Sequence, residues 1–372
     1  MSDSIDRLLA YQIEARHYPG ALVHVEAGGT LVARKAAGRL GPESDLPMHD
    51  GALFRLASLS KPVVSLAALM QVGEGRLALD APAADYLPAL HGLRMKSGAP
   101  PQRAPTIRDL LRHTSGLAYE WEIRDAELRE LALNSDFAGQ MPYVDAAAFL
   151  AGLVARPLAT EPGVEFRYGY STDVLGLIVA AVDGVALGES LRKRVFEPLD
   201  MSETGFAVPP SEQHRLATAH PADTAWQARV AGYGVRCEGR PWMESGGGGL
   251  VTTLDDYVRF ARLLANGGRL GDQALLPADL FREMSRNQLT DGIDGPVAYT
   301  GSGFGFGLGL AVRLEQGPAA MPCAAGELTW SGISGTALFV NPREKWFAIC
   351  FTSNMTSRMM ARLEFRRALT LA

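Results

Sequence analysis

The order of apolar and polar positions along the chain changes character twice. Near the N terminus, residues 5–15 have the spacing of a short amphipathic helix. The next segment, "GALVHVEAGGTLVARKAAGRL", contains two β-rich runs around Gly28 and Gly29 and predicts a hairpin. A further helix is predicted from Ser58 to about Val72, with Pro62 in its first turn, where proline removes no intrahelical hydrogen bond.

Helical periods broken by proline and glycine then dominate from about residue 79 to residue 229, as in "DAAAFLAGLVA" and "STDVLGLIVAAVDG". Another helix is predicted after Thr253, with that residue as N-cap, Asp256 at the third position and Gly267 at the end.

The last 70 residues return to strand-like alternation. In "GSGFGFGLGLAV" the large apolar side chains from Phe304 to Leu310 fall on one face and the glycines on the other. Short strands and a terminal helix follow. The pattern predicts an α/β domain formed by residues 1–78 and 230–372, interrupted by a helical domain at residues 79–229.

Composition narrows the class of function. Apolar residues make up 47% of the 372 positions, charged residues 21%, and the net charge is −5. No basic block suggests a nucleic-acid or anionic-membrane partner. The first 20 residues lack the pattern of a secretory signal, and no 18-residue apolar span occurs. We therefore expect a cytoplasmic protein with a small-molecule substrate; its oligomeric state is left open.

The cysteines and histidines do not form a metal-binding pattern. Cys237, Cys323 and Cys350 are far apart and odd in number, which is typical of free thiols. The seven histidines show no HExxH or similar ligand spacing. No metal and no other cofactor is expected.

Candidate chemistry begins with the spacing of Ser58 and Lys61. Residues three apart share a helix face, so the lysine can reach the serine hydroxyl, and a helix start offers N–H groups to a developing oxyanion. The same S-x-x-K spacing recurs at Ser190 and Lys193, among charged residues typical of a solvated helix face. The apolar surroundings of Lys61 instead suit a working base.

The turn "FRYGYSTDVLG" offers Tyr168 and Tyr170 as residues that could shuttle the proton. A packed aromatic turn without a catalytic role is the alternative. The chain has no G-x-S-x-G motif, which argues against an α/β-hydrolase and its Ser-His-Asp triad.

Six stretches, taken in order, resemble the serine β-lactamase/penicillin-binding-protein superfamily in its class C branch, and are similar to family VIII carboxylesterases. They are "LFRLASLSKPVVSLAALMQVGEGRLALDAPAADYLP", "TIRDLLRHTSGL", "PGVEFRYGYSTDVLG", "FEPLDMSETGF", "SGGGGLVTTLDDYVRFARLLANGG" and "WSGISGTALFVNP". The resemblance covers most of residues 50–342. It implies the β-lactamase/transpeptidase-like α/β (α+β) fold, with an antiparallel sheet flanked by helices and an inserted, mostly helical domain.

The resemblance also implies roles for individual residues. Ser58 matches the nucleophile, Lys61 its proton acceptor and Tyr168 the catalytic tyrosine. The backbone N–H groups of Ser58 and Ile333 match the oxyanion hole.

At two positions the sequence departs from the β-lactamase pattern. Trp330, in "Trp-Ser-Gly" with Gly332, replaces the lysine of Lys-Thr-Gly, and Tyr170 replaces an asparagine. Both changes remove groups that suit penicillins or peptides, and Trp-x-Gly is the family VIII pattern. We expect these residues and Tyr119 to line the substrate site, with Trp121 as a further candidate. His113 is expected to be structural.

The sequence thus predicts a serine carboxylesterase that hydrolyses short-chain esters through an acyl-enzyme. A β-lactamase, a D-amino-acid peptidase or a transacylase on the same fold remains an alternative. So does a non-catalytic scaffold, although a scaffold needs none of the three catalytic residues.

Overall fold

An antiparallel sheet of seven strands, drawn from both ends of the chain, forms the framework. The computed structural model describes residues 2–134, 141–289 and 292–370. Its large sheet consists of β1 (Gly20–Ala27), β2 (Thr30–Gly38), β7 (Phe304–Phe306), β8 (Ala311–Arg313), β9 (Leu328–Ser331), β10 (Thr336–Asn341) and β11 (Trp346–Thr352). The spatial order is β2-β1-β11-β10-β9-β8-β7, and every neighbouring pair is antiparallel. Two short two-stranded pairs are formed by β3 (Phe54–Arg55) with β4 (Val251–Thr252), and by β5 (Arg269–Leu270) with β6 (Gln273–Ala274).

Most of the described residues between the first hairpin and the last strands are helical or in loops. The α-helices of the described residues are α1 (Ser2–Glu14), α2 (Ser60–Gly73), α3 (Ile107–Leu111), α4 (Ala126–Leu133), α5 (Ala146–Ala155), α6 (Ser171–Asp183), α7 (Leu187–Leu191), α8 (Thr224–Arg229), α9 (Leu254–Ala265), α10 (Ala278–Ser285), α11 (Val297–Thr300) and α12 (Arg358–Ala368). A 3-10 turn at Ala57–Leu59 leads directly into α2.

The two faces of the large sheet are covered by different helices. On β11, Phe351 packs against Tyr257 of α9. On β10, Phe339 packs against Phe365 of α12. Phe351 pairs with Thr336, three positions from Phe339, so the two phenylalanines point to opposite faces. Trp330 pairs with Leu338 and therefore shares the α9 face, on which the catalytic candidates lie.

Several sequence predictions agree with this structure. The first hairpin turns at Gly28 and Gly29, both with positive φ, which glycine adopts without steric cost. Thr253 caps α9 by accepting a hydrogen bond from the N–H of Asp256. The antiparallel sheet with flanking helices confirms the predicted fold class. The domain boundaries at residues 78/79 and 229/230 remain a prediction.

The alternation predicted from Phe304 to Leu310 forms a strand only at β7, Phe304–Phe306. The chain instead turns after β7, where the N–H of Gly307 donates to the carbonyl of Leu310, and returns as β8. Gly309 has φ of +104°, and a Cβ there would lie 2.3 Å from Oγ of Ser65 in α2. Gly309 therefore permits a close approach between this turn and α2.

Among the described residues, no single helix is both long and apolar enough to cross a membrane. The pair Ser171–Asp183 and Leu187–Phe196, bent by 75°, reaches that length and composition only when taken together.

Candidate active site

Ser58 lies in the 3-10 turn that precedes α2. The residue before it, Ala57, has φ of +46°, which is uncommon for a residue other than glycine. Leu56 holds this turn on both sides, since its N–H donates to the carbonyl of Leu250 and its carbonyl accepts from Oγ1 of Thr336. Ser58 is half-buried, whereas both of its neighbours are buried, so its hydroxyl is the part of the turn that faces the site.

Lys61 is fully buried at the start of α2, and its amine contacts three oxygens. Nζ lies 3.3 Å from Oγ of Ser58, 3.3 Å from the hydroxyl of Tyr119 and 2.6 Å from the carbonyl of Gly247. The predicted serine–lysine pair is therefore within hydrogen-bond distance. The sequence did not predict the contact with Gly247, which lies 186 positions from Lys61.

The two tyrosines beside Lys61 contact it differently. Tyr168 offers the face of its ring, with the centroid 4.6 Å from Nζ. Its hydroxyl accepts a hydrogen bond from the indole N–H of Trp330 at 3.2 Å. Tyr119, expected only as a pocket residue, is the tyrosine whose hydroxyl is hydrogen-bonded to Lys61. Burial, together with the charge of Asp173, raises the pKa of Tyr119, which keeps it a neutral phenol.

Trp330 and His113 both pack against the ring of Tyr168. The ring centroids lie 5.2 Å apart for Trp330 and 4.8 Å apart for His113. Burial and the charge of Lys61 lower the pKa of His113 well below its usual value, so this imidazole is neutral at neutral pH. His113 acts as packing for Tyr168, in agreement with the structural role expected for it.

The end of β9 approaches the nucleophile turn closely at Gly332. A Cβ on this residue would lie 2.2 Å from the carbonyl oxygen of Leu56, so only glycine fits. The N–H of Gly332 donates a hydrogen bond to the carbonyl of Thr336. The N–H groups of Ser58 and Ile333 have no acceptor among the described residues, which leaves both available to an oxyanion.

Tyr170 is tied to a buried ion pair. Its hydroxyl donates to Oε1 of Glu120 at 2.8 Å, and the same oxygen accepts from Arg156 at 3.0 Å. Its ring packs edge-on against Tyr119, with centroids 4.6 Å apart. In these contacts Tyr170 supports the wall behind Tyr119, whereas the sequence prediction placed it on the substrate.

Two aromatic residues extend the site outward from Tyr119. Trp121 stacks on Tyr119 with ring centroids 4.6 Å apart, and 49% of its surface is exposed. Its indole N–H donates a hydrogen bond to the hydroxyl of Tyr299. The sequence did not predict Tyr299 as a residue of the site. Tyr299 also packs on Tyr168 and Trp330, so one aromatic wall runs from the reacting atoms to the surface.

An arginine from the terminal helix, also missed in the sequence, lies behind β9. Arg362 of α12 donates to Oγ of Ser331 at 3.2 Å and to Oγ1 of Thr329 at 3.1 Å. Its guanidinium is buried, and burial lowers its pKa to about 10. The strand lacks a cation of its own, as the sequence indicated, but this charge approaches it from the α12 face.

The second S-x-x-K spacing does not form a comparable centre. Ser190 donates its hydroxyl hydrogen to Asp183, and Lys193 is exposed and paired with Glu189 at 3.0 Å. Both residues line a surface cleft of about 400 Å³ whose other charges are engaged in ion pairs. Within the described ranges no cluster of His, Cys, Asp or Glu could hold a metal ion.

Comparison with known proteins identifies relatives along almost the whole chain. The Beta-lactamase family model matches residues 5–372. Protein Rv1367c of Mycobacterium tuberculosis is 33% identical over 331 residues, which is 85% of this chain and 81% of that protein. Esterase EstB of Burkholderia gladioli is 31% identical over 354 residues, 91% of this chain and 86% of the esterase.

A solved structure agrees with these sequence matches. EstCE1, described as a hydrolase with promiscuous acyltransferase activity, superimposes with a TM-score of 0.83 and 26% identity. The superposition covers 99% of this chain and 97% of EstCE1.

Proposed function

The chain belongs to the Beta-lactamase family, and we propose that it is a family VIII-type carboxylesterase that hydrolyses short-chain esters through an acyl-enzyme on Ser58. The coarser assignment, a serine ester hydrolase or acyltransferase of the β-lactamase fold, rests on its similarity to EstB and EstCE1. The finer assignment is supported by the geometry around Lys61. A non-catalytic scaffold would not need a buried lysine directed at a half-exposed serine.

In the first half-reaction, Oγ of Ser58 attacks the ester carbonyl as its proton passes to Lys61, 3.3 Å away. The carbonyl oxygen becomes an oxyanion, and the N–H groups of Ser58 and Ile333 stabilise it. When the tetrahedral intermediate collapses, the C–O bond to the alcohol breaks. Tyr168 donates its hydroxyl proton to the departing alkoxide and is then reprotonated by Lys61.

In the second half-reaction, water attacks the acyl-enzyme and the same groups act in reverse. The water loses its proton to the Lys61–Tyr168 pair, and Ser58 recovers its proton as the carboxylic acid leaves. An alcohol in place of water would give acyl transfer, which is the activity described for EstCE1 beside hydrolysis.

The observation that carries this proposal is the hydrogen bond between Lys61 and Ser58. A fluorophosphonate probe tests it, because Oγ of an activated serine displaces fluoride from phosphorus and stays covalently bound. We expect labelling of wild-type protein at Ser58 and none of the Ser58→Ala variant. Ser190→Ala serves as the matched control and should be labelled like wild type. A label that maps to Ser190 would overturn the assignment.

A second candidate function is hydrolysis of β-lactams or D-amino-acid peptides, which the match to the Beta-lactamase family model leaves open. Such substrates bring a carboxylate that a cation would bind, but Arg362 is buried against Ser331 and approaches β9 from the α12 face, opposite to Trp330. Trp330 argues against this candidate because it stands where β-lactamases have a cation. The esterase and β-lactamase candidates are distinguished by the relative rates at which the protein hydrolyses the two substrate classes.

A further inference from the structure

Asp173 is a buried carboxylate directed at the loop that holds Lys61. It lies in the first turn of α6 and is 2% exposed. Its Oδ1 accepts hydrogen bonds from Oγ of Ser245 at 2.5 Å and from the N–H of Gly247 at 3.0 Å. Within the described part of the chain no arginine or lysine forms a salt bridge with it. The reaction sequence described above does not use this carboxylate.

Gly247 connects the carboxylate to the catalytic lysine. Its N–H is bound by Asp173, and its carbonyl accepts from Nζ of Lys61 at 2.6 Å. A Cβ on Gly247 would lie 2.3 Å from Oδ2 of Asp173, and φ at this residue is not positive. Glycine is therefore required here by the approach of the carboxylate and not by the backbone angle.

The electrostatic environment agrees with a link between the two residues. Burial raises the pKa of Asp173, and the positive charge of Lys61 counteracts part of that rise. The hydroxyls of Tyr119, Tyr170 and Tyr233 are the other titratable groups that feel the Asp173 charge.

We infer that Asp173 is a positioning residue, which clamps Gly247 so that its carbonyl holds the Lys61 amine beside Ser58. The inference rests on the proposed function, since it concerns the activation of the same serine. It places no substrate contact on Asp173. Loss of the clamp lets the Gly247 carbonyl move, and a displaced amine no longer accepts the serine proton efficiently.

The test compares Asp173→Asn with Asp256→Asn. Asp256 is the matched control because it also lies in the first turn of a helix, is buried, and accepts from a backbone N–H and a hydroxyl, those of Glu203 and Thr204. Each variant is assayed for the rate of fluorophosphonate labelling of Ser58, for kcat and KM on p-nitrophenyl butyrate, and for thermal unfolding.

In Asp173→Asn a neutral amide oxygen replaces the carboxylate and accepts more weakly from Gly247, so we expect labelling and kcat to fall by at least about tenfold while KM stays within about twofold. Asp256→Asn should lose thermal stability but keep wild-type labelling. Gly247→Ala provides a second route if Asp173→Asn does not fold, because its Cβ would separate the carboxylate from the loop. It should show the same loss of kcat.

Wild-type labelling by a folded Asp173→Asn or Gly247→Ala protein would overturn the inference. A loss of labelling in Asp256→Asn equal to that in Asp173→Asn would also overturn it, since both losses would then reflect stability. Failure of the probe to label wild-type Ser58 would instead contradict the proposed function itself.

Discussion

At the scale of single residues, the site depends on which hydroxyl carries the proton. The sequence assigns this role to Tyr168, whose hydroxyl is oriented by Trp330. The structure adds Tyr119, whose hydroxyl is bound to Lys61. A direct hydrogen bond and a ring contact predict different kinetic effects, so the two tyrosines can be separated by experiment.

Removal of the acid–base groups should lower ester turnover strongly. Lys61→Ala and Tyr168→Phe are each expected to lower kcat on p-nitrophenyl butyrate by about a hundredfold or more, the range of general acid–base catalysis. Tyr119→Phe removes one hydrogen bond to Lys61 and should cost about tenfold. If Tyr119→Phe proves the more damaging of the two tyrosine variants, Tyr119 and not Tyr168 carries the proton.

Tyr170→Phe should affect stability more than activity. It removes one hydrogen bond to Glu120 and leaves that buried carboxylate with Arg156. We expect the free energy of unfolding to drop by about 1–3 kcal/mol, measured by urea titration, with kcat within a few-fold of wild type. A hundredfold loss of kcat without loss of stability would place Tyr170 in the chemistry and shift the register of "FRYGYS" by two residues.

At the scale of elements, α3 shows how a short helix is held near the site. Asp109 completes a capping box with Thr106 and also binds Arg103, Arg112 and Thr114. Burial opposes the charge of Asp109, but the hydrogen bonds led by that from Arg103 outweigh burial and lower its pKa to about 2. The chain then passes through His113 toward the site, so this network anchors the segment that packs on Tyr168.

The ionised form of Asp109 should stabilise the protein in a defined pH range. Because its pKa is lower in the folded than in the unfolded protein, the stabilisation is complete above about pH 4 and is lost as the pH falls toward 2. It amounts to about 2 kcal/mol at neutral pH. Asp109→Asn should lose this amount in urea titrations at pH 7, and the difference from wild type should shrink at pH 3.

Asp80→Asn is the control for this prediction. Asp80 makes a similar carboxylate–arginine pair with Arg108, but its side chain is 75% exposed. Exposed pairs contribute about 0–1 kcal/mol, so the variant should change the unfolding free energy little. Equal losses of unfolding free energy in Asp109→Asn and Asp80→Asn would mean that burial of the Asp109 network does not add to its stabilising effect.

At the scale of the whole molecule, the fold and the serine–lysine pair could be predicted from the sequence because short local motifs indicate both. Ser58 and Lys61 are three residues apart, and Thr253 is an N-cap residue directly before the helix that it predicts. The contacts that the sequence did not predict join distant segments. Arg362 meets β9 from the terminal helix, and Gly247 meets Lys61 across 186 positions, which no local pattern encodes.

The absence of a cation on the site face of β9 should decide the substrate class. The loss of a charge-assisted hydrogen bond to a substrate carboxylate costs about 1.5–3 kcal/mol, or about one to two orders of magnitude in rate. We expect kcat/KM for p-nitrophenyl butyrate to exceed that for nitrocefin by at least about a hundredfold. Comparable values would favour the β-lactamase candidate, with a cation outside β9 as the partner of the substrate carboxylate.

The pairing of β1 with β11 has a consequence for biosynthesis. Seven residue pairs, from Ala21 with Thr352 to Ala27 with Trp346, join segments more than 300 positions apart. The first hairpin therefore leaves the ribosome long before its sheet partner exists, and one edge of β1 stays open meanwhile. Non-local pairing of this kind slows folding and exposes strand edges to aggregation. The large sheet can therefore be completed only after β11, more than 300 residues after β1, has been translated.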